Sequence, residues 1–342
     1  MTTATPRSRG RAAEWPVQIP LRGWLDVLWR FGRGFLSEDL AMVARSIAYC
    51  WVVALFPTLA ALVSLYGLFA DPSLARSHLA LLDGVVPADV LMLIGDEMVR
   101  LAQQQQTSLG AAFALSLFLA VLTANTGTKA LIRGLNIAYL ELEGRGVVRL
   151  NKVSLGITLG GFAFAILAGA GLVVAPAAFA ILRLPEGWAP LALLRWPALG
   201  VLAAVAFCLL YRAAPDRRPA RWRWVSWGST LAAAAWLGMS AAVSWYVGAF
   251  AGFTAAYGSV AAVFGFLLWS WLSALAILLG AKLNAEMEHQ TAVDSTLPPN
   301  RPLGFRGAEV ADTVGAARHD AIPPLDAGQI ARRARRRRRG NA

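Results

Sequence analysis

Residues Trp224 to Ala281 read WVSWGSTLAAAAWLGMSAAVSWYVGAFAGFTAAYGSVAAVFGFLLWSWLSALAILLGA, 58 consecutive positions without an acidic or basic side chain. About 20 apolar residues cross the hydrocarbon core of a bilayer as a helix, so this run must cross twice and turn between the crossings. Ala251-Gly252-Phe253-Thr254, near its middle, marks the turn, because glycine relaxes the backbone there. A hairpin of membrane helices sets the class of the whole chain.

Two more uncharged runs flank it, Ile47–Ala70 with 24 residues and Val153–Leu182 with 30. The chain has 342 residues, 57% apolar and 15% charged, where soluble domains average about 45–50% and 25%. The pattern predicts an all-α polytopic membrane protein with six transmembrane helices, amphipathic interfacial helices and both termini in the cytoplasm. The spans are placed at 47–70, 109–127, 153–182, 191–211, 225–250 and 257–281. Pro57 and Pro176 are expected to kink the first and third. Arg195 and Pro197 interrupt the fourth, which makes its ends the hardest to place.

Orientation follows from the distribution of Lys and Arg. Alternating the segments across six spans puts 28 basic residues on one side and four on the other. That split places both termini in the cytoplasm. The first apolar segment is of spanning length, so it reads as a signal anchor in a bacterial plasma membrane, without a cleaved leader.

The chemistry available is narrow. Cys50 and Cys208 both sit in apolar runs and read as small buried side chains. His78, His289 and His319 are far apart and show no metal-ligand spacing. A phosphate-binding Gly-rich loop and a serine-nucleophile elbow are missing from the sequence, so no ATP-driven step and no cofactor is expected on this chain.

Outside the spans, the chain divides into a disordered basic arm (1–20), a membrane domain (21–288) and a tail (289–342). Leu21, Trp24, Leu25, Leu28, Trp29 and Phe35 recur at helical spacing with Arg22, Arg30 and Arg33 among them. Two readings fit, a helix lying in the membrane interface and a short helix packed on the bundle end. A second stripe (Val86, Val90, Leu93, Ile94, Met98, Leu101) is entered through Pro87. A third runs through Leu131, Leu135, Ala138 and Leu142 in the second cytoplasmic loop. Both are ordinary packing stripes or the lining of a path. Trp222, Trp224 and Trp227 form an interfacial aromatic belt, as Trp188 and Trp196 do at the other side. Gly156-x-x-x-Gly160 and Gly248-x-x-x-Gly252 allow close helix approach, within the bundle or between copies, and a six-helix bundle favours the first. From Thr291 the composition predicts disorder, ending in seven arginines between Arg332 and Arg339. Those arginines suit anionic lipid headgroups, and attract nucleic acid only without specificity.

Arg45-Ser46-Ile47-Ala48-Tyr49, Leu55-Phe56-Pro57 and Tyr66-Gly67 resemble the opening of the YihY/BrkB membrane protein family. Tyr246-Val247, Tyr257-Gly258-Ser259, Trp269 and Leu279-Gly280-Ala281-Lys282-Leu283-Asn284-Ala285 resemble its end, and the segment around Lys129, Arg133, Asn136 and Tyr139 is similar too. The likeness covers about Trp24 to Glu288. Lys282 stands where the family usually carries an acidic residue, which argues against a catalytic role there. The resemblance implies a six-helix inner-membrane protein, with family labels ranging from a former ribonuclease BN to a virulence factor and a lipid or lipopolysaccharide exporter.

Three functions compete. A transporter or exporter of a lipid or envelope component fits the bundle, its prolines and the polar residues at span ends (Tyr49, Asn125, Lys129, Asn136, Tyr257, Asn284). No span carries a central Asp, Glu or Lys, so an ion-coupled relay is not expected. A non-transporting envelope scaffold is the alternative. The ribonuclease reading rests on Glu286, Glu288 and His289, which read more simply as a solvated helix end, so an enzyme is not expected. For a lipid cargo, Asn125, Lys129, Arg133 and Asn136 form a candidate headgroup site, since residues three and four apart share a helical face. Ordinary positive-inside anchoring explains the same two cations.

Overall fold

The uncharged runs become long helices because a chain in hydrocarbon must satisfy its backbone hydrogen bonds internally. The computed structural model describes residues 9–37, 39–69, 106–181, 193–249 and 259–318. Eight α-helices are present among them: α1 (Leu21–Ser37), α2 (Leu40–Phe69), α3 (Gln106–Ala138), α4 (Val147–Ile181), α5 (Arg195–Ala213), α6 (Trp222–Ala249), α7 (Ser259–Glu288) and the four-residue α8 (Glu309–Asp312). The described residues contain no strand, only an isolated antiparallel bridge between Ala220 and Thr296.

Among the described residues, five helical segments are long and apolar enough to cross a membrane: Leu40–Leu65, Gly110–Ala138, Val147–Leu172, Arg195–Ala213 and Ala262–Glu288. They fall on five of the six expected spans. The remaining span, expected at 225–250, falls on α6, a helix of 28 residues ending at Ala249. Arg195 and Pro197 do not interrupt α5; they occupy its first turn, where proline's missing N–H costs nothing. α2 continues through Pro57. The expected turn at Ala251–Thr254, the stripe from Val86 to Leu101 and Trp188 lie outside the described residues.

The core joins α2, α3, α6 and α7 through Leu40, Ala44, Ile47, Leu131, Ile132, Leu135, Val225, Ala274 and Leu278. α2 lies along α3, and α7 packs on α6 and α2. Close approach is set by glycines. A Cβ on Gly134 would stand 2.9 Å from both Val43 and Leu278 side chains, and one on Gly280 would stand 2.6 Å from the Gly228 carbonyl oxygen. α4 is peripheral and packs on α3 and α5. A Cβ on Gly156 or Gly160 meets nothing within 4 Å. Among the described residues the intramolecular reading of that glycine pair finds no contact, because α4 is peripheral and its small-residue face meets none of them. Phe56, Leu62, Phe118, Leu122, Ile166, Leu167, Val201 and Val205 are exposed along four helices, an apolar belt suited to lipid.

Three further expectations are corrected. The stripe Leu131, Leu135, Ala138 is not a separate helix, because α3 runs unbroken to Ala138 and buries all three. Helical hydrogen bonding continues past the point where hydropathy falls, until Leu140 turns the chain in the left-handed region (φ +55°). The arm described from Arg9 is also ordered: Ala13 and Ile19 are buried, and Arg9 pairs with Asp26 at 3.0 Å. Residues 289–318 are not disordered either. They cross the bundle end as a strap, with Gln290, Thr291, Ser295 and Thr296 fully buried. Composition reports whether a segment can fold on its own. It says little of a segment docked onto a finished bundle.

Candidate functional site

The site is built on the last turns of α7, Ala281-Lys282-Leu283-Asn284-Ala285-Glu286-Met287-Glu288, every residue of which is buried. Residues four apart share a face, so Lys282 stacks with Glu286 and Asn284 with Glu288. Each face buries charge, and buried charge requires a partner.

On the first face, Arg30 of α1 places Nε 2.7 Å from Glu286 Oε2, while Lys282 Nζ lies 2.9 Å from Oε1. Arg30 also donates to Gln290 Oε1 at 2.7 Å and to the Ala316 carbonyl at 2.9 Å. His289 Nδ1 stands 3.9 Å from Glu286, and its Nε2 is 3.0 Å from the Thr313 hydroxyl. On the second face, Glu288 Oε2 accepts from Arg217 Nη2 at 2.6 Å and from the Ser295 hydroxyl at 2.8 Å. Arg217 lies 4.8 Å over the ring of Tyr139. Burial opposes ionisation of Arg217, but Glu288 beside it prevails and raises its pKa further. Burial, and then the Glu288 charge, raise the Tyr139 phenol well above its ordinary range. Glu288 Oε1 and Arg217 Nη1 are buried without a hydrogen-bond partner among the described residues. Asn284 closes the cluster, accepting from the Gly228 N–H at 2.9 Å and donating to the Val225 carbonyl at 3.1 Å.

The reading of Glu286, Glu288 and His289 as a solvated helix end is therefore corrected. α1, the α5–α6 connection and the strap cover that end, and both carboxylates are consumed by cations. Arg30, Arg217 and Tyr139 were not singled out from the sequence as parts of this cluster. The available signal was two polar pairs at i,i+4 spacing following an apolar helix without a break.

The candidate headgroup residues fare differently. Asn125, Lys129, Arg133 and Asn136 do share α3, but Asn136 is buried. Its Nδ2 donates to Glu143 at 3.0 Å, and its Oδ1 accepts from the Asp216 N–H at 2.8 Å. Glu143 is partly buried, yet hydrogen bonds from Arg145 hold its carboxyl below the usual range. Asn125 accepts from the Thr158 hydroxyl at 3.4 Å. Both amides are committed internally; Lys129 is half-buried and Arg133 exposed. Tyr49 is exposed and Tyr257 lies outside the described residues. Within the tryptophan belt, Trp222 and Trp227 face outward while Trp224 is buried in the core.

The sequence pattern of the virulence factor BrkB family matches residues 31–303, which takes in α2 to α7 and half of the strap. The chain belongs to that family. Curated relatives agree with a BrkB-type membrane protein. YfkH of Bacillus subtilis (strain 168), whose name describes it as ribonuclease-like, is 27% identical over 75% of this chain and 92% of its own length. The UPF0761 membrane protein RSc1559 of Ralstonia nicotianae is 29% identical over 86% of this chain, and Bpet3042 of Bordetella petrii 30% identical over 83%. This BrkB-family chain spans 66% and 60% of those two proteins' lengths. No solved structure matches it.

Proposed function

We propose that this protein is a plasma-membrane transporter that exports a lipid or another envelope component, with the buried ionic cluster at the end of α7 as its cytoplasmic gate. One observation carries the reading: charge is concentrated in that closed end, whereas the helices above it meet through uncharged polar contacts. Thr128 and Thr158 share a hydrogen bond at 2.8 Å, Trp236 donates to Ser273 at 3.0 Å and Trp269 to Ser240 at 2.9 Å. Buried ion pairs add little net stability and are better suited to fixing one of two states. The unsatisfied Glu288 Oε1 and Arg217 Nη1 fit a pair that exchanges partners.

The six-span topology belongs to the same proposal, with α6 as a crossing and both termini inside. Its support is the 28:4 division of basic residues. The inverted burial of α1 supports an interfacial helix, since Leu21, Leu25 and Leu28 are exposed whereas Asp26, Val27 and Arg30 are buried. Reporters inserted within Glu141–Arg149 and Asp216–Ala220 should read cytoplasm, and one near Glu186 should read outside. An external signal at Asp216–Ala220 would sink the topology.

A scaffold is the second reading, favoured by the strap. The Ala292 N–H donates to Arg11, Arg221 N–H to Ser295, and Glu309 N–H to Glu141, which ties distant parts together. We propose no nuclease activity, because Glu286 and Glu288 are already occupied by Arg30, Lys282 and Arg217. The purified full chain in liposomes, tested with fluorescent phospholipid, separates the readings. Protein-dependent translocation supports the exporter. Its absence, together with one stoichiometric partner in a detergent pull-down, supports the scaffold.

A further inference from the structure

Five arginines connect α5 to α6, and as sequence they are equal contributors to the basic side. The structure divides them. Arg217 pairs with Glu288, Arg218 donates to the Pro299 carbonyl at 3.0 Å, and Arg221 donates to the Thr296 carbonyl at 2.9 Å and to Asn300. Arg212 and Arg223, at the two ends of the connection, have no carboxylate or carbonyl partner among the described residues.

Each of these two stacks instead on an exposed tryptophan. Arg212 Cζ lies 3.8 Å from the ring centroid of Trp222, and Arg223 Cζ lies 4.8 Å from that of Trp15. Trp222 is 53% exposed and Trp15 47%. Arg212 sits in the last turn of α5, and Trp222 and Arg223 open α6, so both pairs flank one helix start where an apolar span ends. A guanidinium stacked on a ring keeps its in-plane donors in a fixed fork, the shape that pairs with a phosphate. The indole faces beside it suit the glycerol and upper acyl region.

We propose that Arg212 and Arg223, held on Trp222 and Trp15, form a binding site for the headgroup phosphate of an anionic phospholipid in the adjoining leaflet. The site is independent of transport and stands equally for a scaffold. It differs from Lys129 and Arg133, which carry the same charge but no stacking partner among the described residues.

Native mass spectrometry of the full chain in detergent, titrated with phosphatidylglycerol, tests the assignment. A fixed guanidinium–phosphate contact contributes about fivefold in affinity, so Arg212→Gln with Arg223→Gln should weaken binding roughly twenty-five-fold. Lys129→Gln with Arg133→Gln removes the same charge and should change binding less than about threefold. An equal loss in both double variants, or no loss in the first, overturns the proposal. Competition by inorganic phosphate that abolishes lipid binding overturns the lipid as occupant. If the glutamine variant does not fold, Arg212→Lys with Arg223→Lys keeps the charge and removes the fork. A loss of about threefold or more is then expected, and unchanged binding counts against the site.

Discussion

Arg30 and Glu286 lie 256 residues apart in the chain, yet their Nε and Oε2 atoms are 2.7 Å apart in the bundle. The pair joins α1 to α7, and neither side chain is open to water. Its geometry orders the effects of mutation. Glu286→Ala takes the carboxylate from two buried cations, Arg30 and Lys282, whereas Arg30→Ala leaves Glu286 with Lys282. Breaking a buried pair costs about 3–5 kcal/mol, so Glu286→Ala should sit at the upper end of that range and Arg30→Ala below it. Arg30→Met with Lys282→Met and Glu286→Leu should restore most of the loss. Thermal unfolding of the three variants in detergent measures the order, and a larger loss for Arg30→Ala contradicts it.

The second prediction contrasts two glycines. At Gly280 a Cβ would meet the Tyr211 hydroxyl at 2.5 Å, the Gly228 carbonyl oxygen at 2.6 Å and Ala232 Cβ at 2.7 Å. Backbone cannot yield as a side-chain tip does, so Gly280→Ala should push α6 from α7 and cost about 1–3 kcal/mol. Gly160→Ala meets nothing and should leave stability unchanged or slightly raised. A comparable loss at Gly160 would mean that α4 has a partner beyond the described residues.

These cases show what was legible in the sequence. Hydropathy located the helices because a span needs only apolar length, and Trp224–Ala281 has that in excess. Gly280 and Asn284 lay in a segment read as resembling a family ending, but their contacts with α6 need the third dimension. The candidate headgroup site shows the limit most clearly. Helical spacing put Asn136 beside Arg133, yet spacing does not report burial, and Asn136 turns inward to Glu143 and Asp216. The same limit hid the strap, whose Pro, Gly and Ala composition reads as solvated although Thr291 and Ser295 are buried. Asp26 and Arg30 stand at i,i+4 on α1, but helical spacing alone left open which face of α1 meets the bundle, and it is the one that carries them.

The third prediction concerns pH. Asp294 accepts the N–H of Thr296 at 2.9 Å and of Arg301 at 2.8 Å, which closes the turn of the strap. Burial works against its ionised form, but those N–H groups, the Thr296 hydroxyl and Arg306 together hold its carboxyl below the usual range. A depressed carboxylate stabilises the fold above its unfolded pKa, and the contribution is lost as pH falls through the folded value. Limited proteolysis should therefore show the strap protected at neutral pH and opening below about pH 4. Asp294→Asn should be more sensitive at neutral pH and lose the pH dependence contributed by this group. An unchanged cleavage profile in that variant would show that Asp294 does not hold the turn.

The last prediction separates two deletions in the tail. Removing residues 332–342 takes away seven arginines and leaves 21 basic residues against four under the six-span topology. Insertion should survive that change, because the bias that orients the helices is still about fivefold. Removing residues 292–342 is different in kind. It takes the Ser295 hydroxyl from Glu288, the Ala316 carbonyl from Arg30 and the Arg318 N–H from Asp26. Three buried charges then lose a partner at once, each at about 1–3 kcal/mol. The longer deletion should insert but purify with a clearly lowered unfolding temperature, while the shorter one matches the full chain. Equal stability of the two would mean that the strap rests on the bundle without holding it.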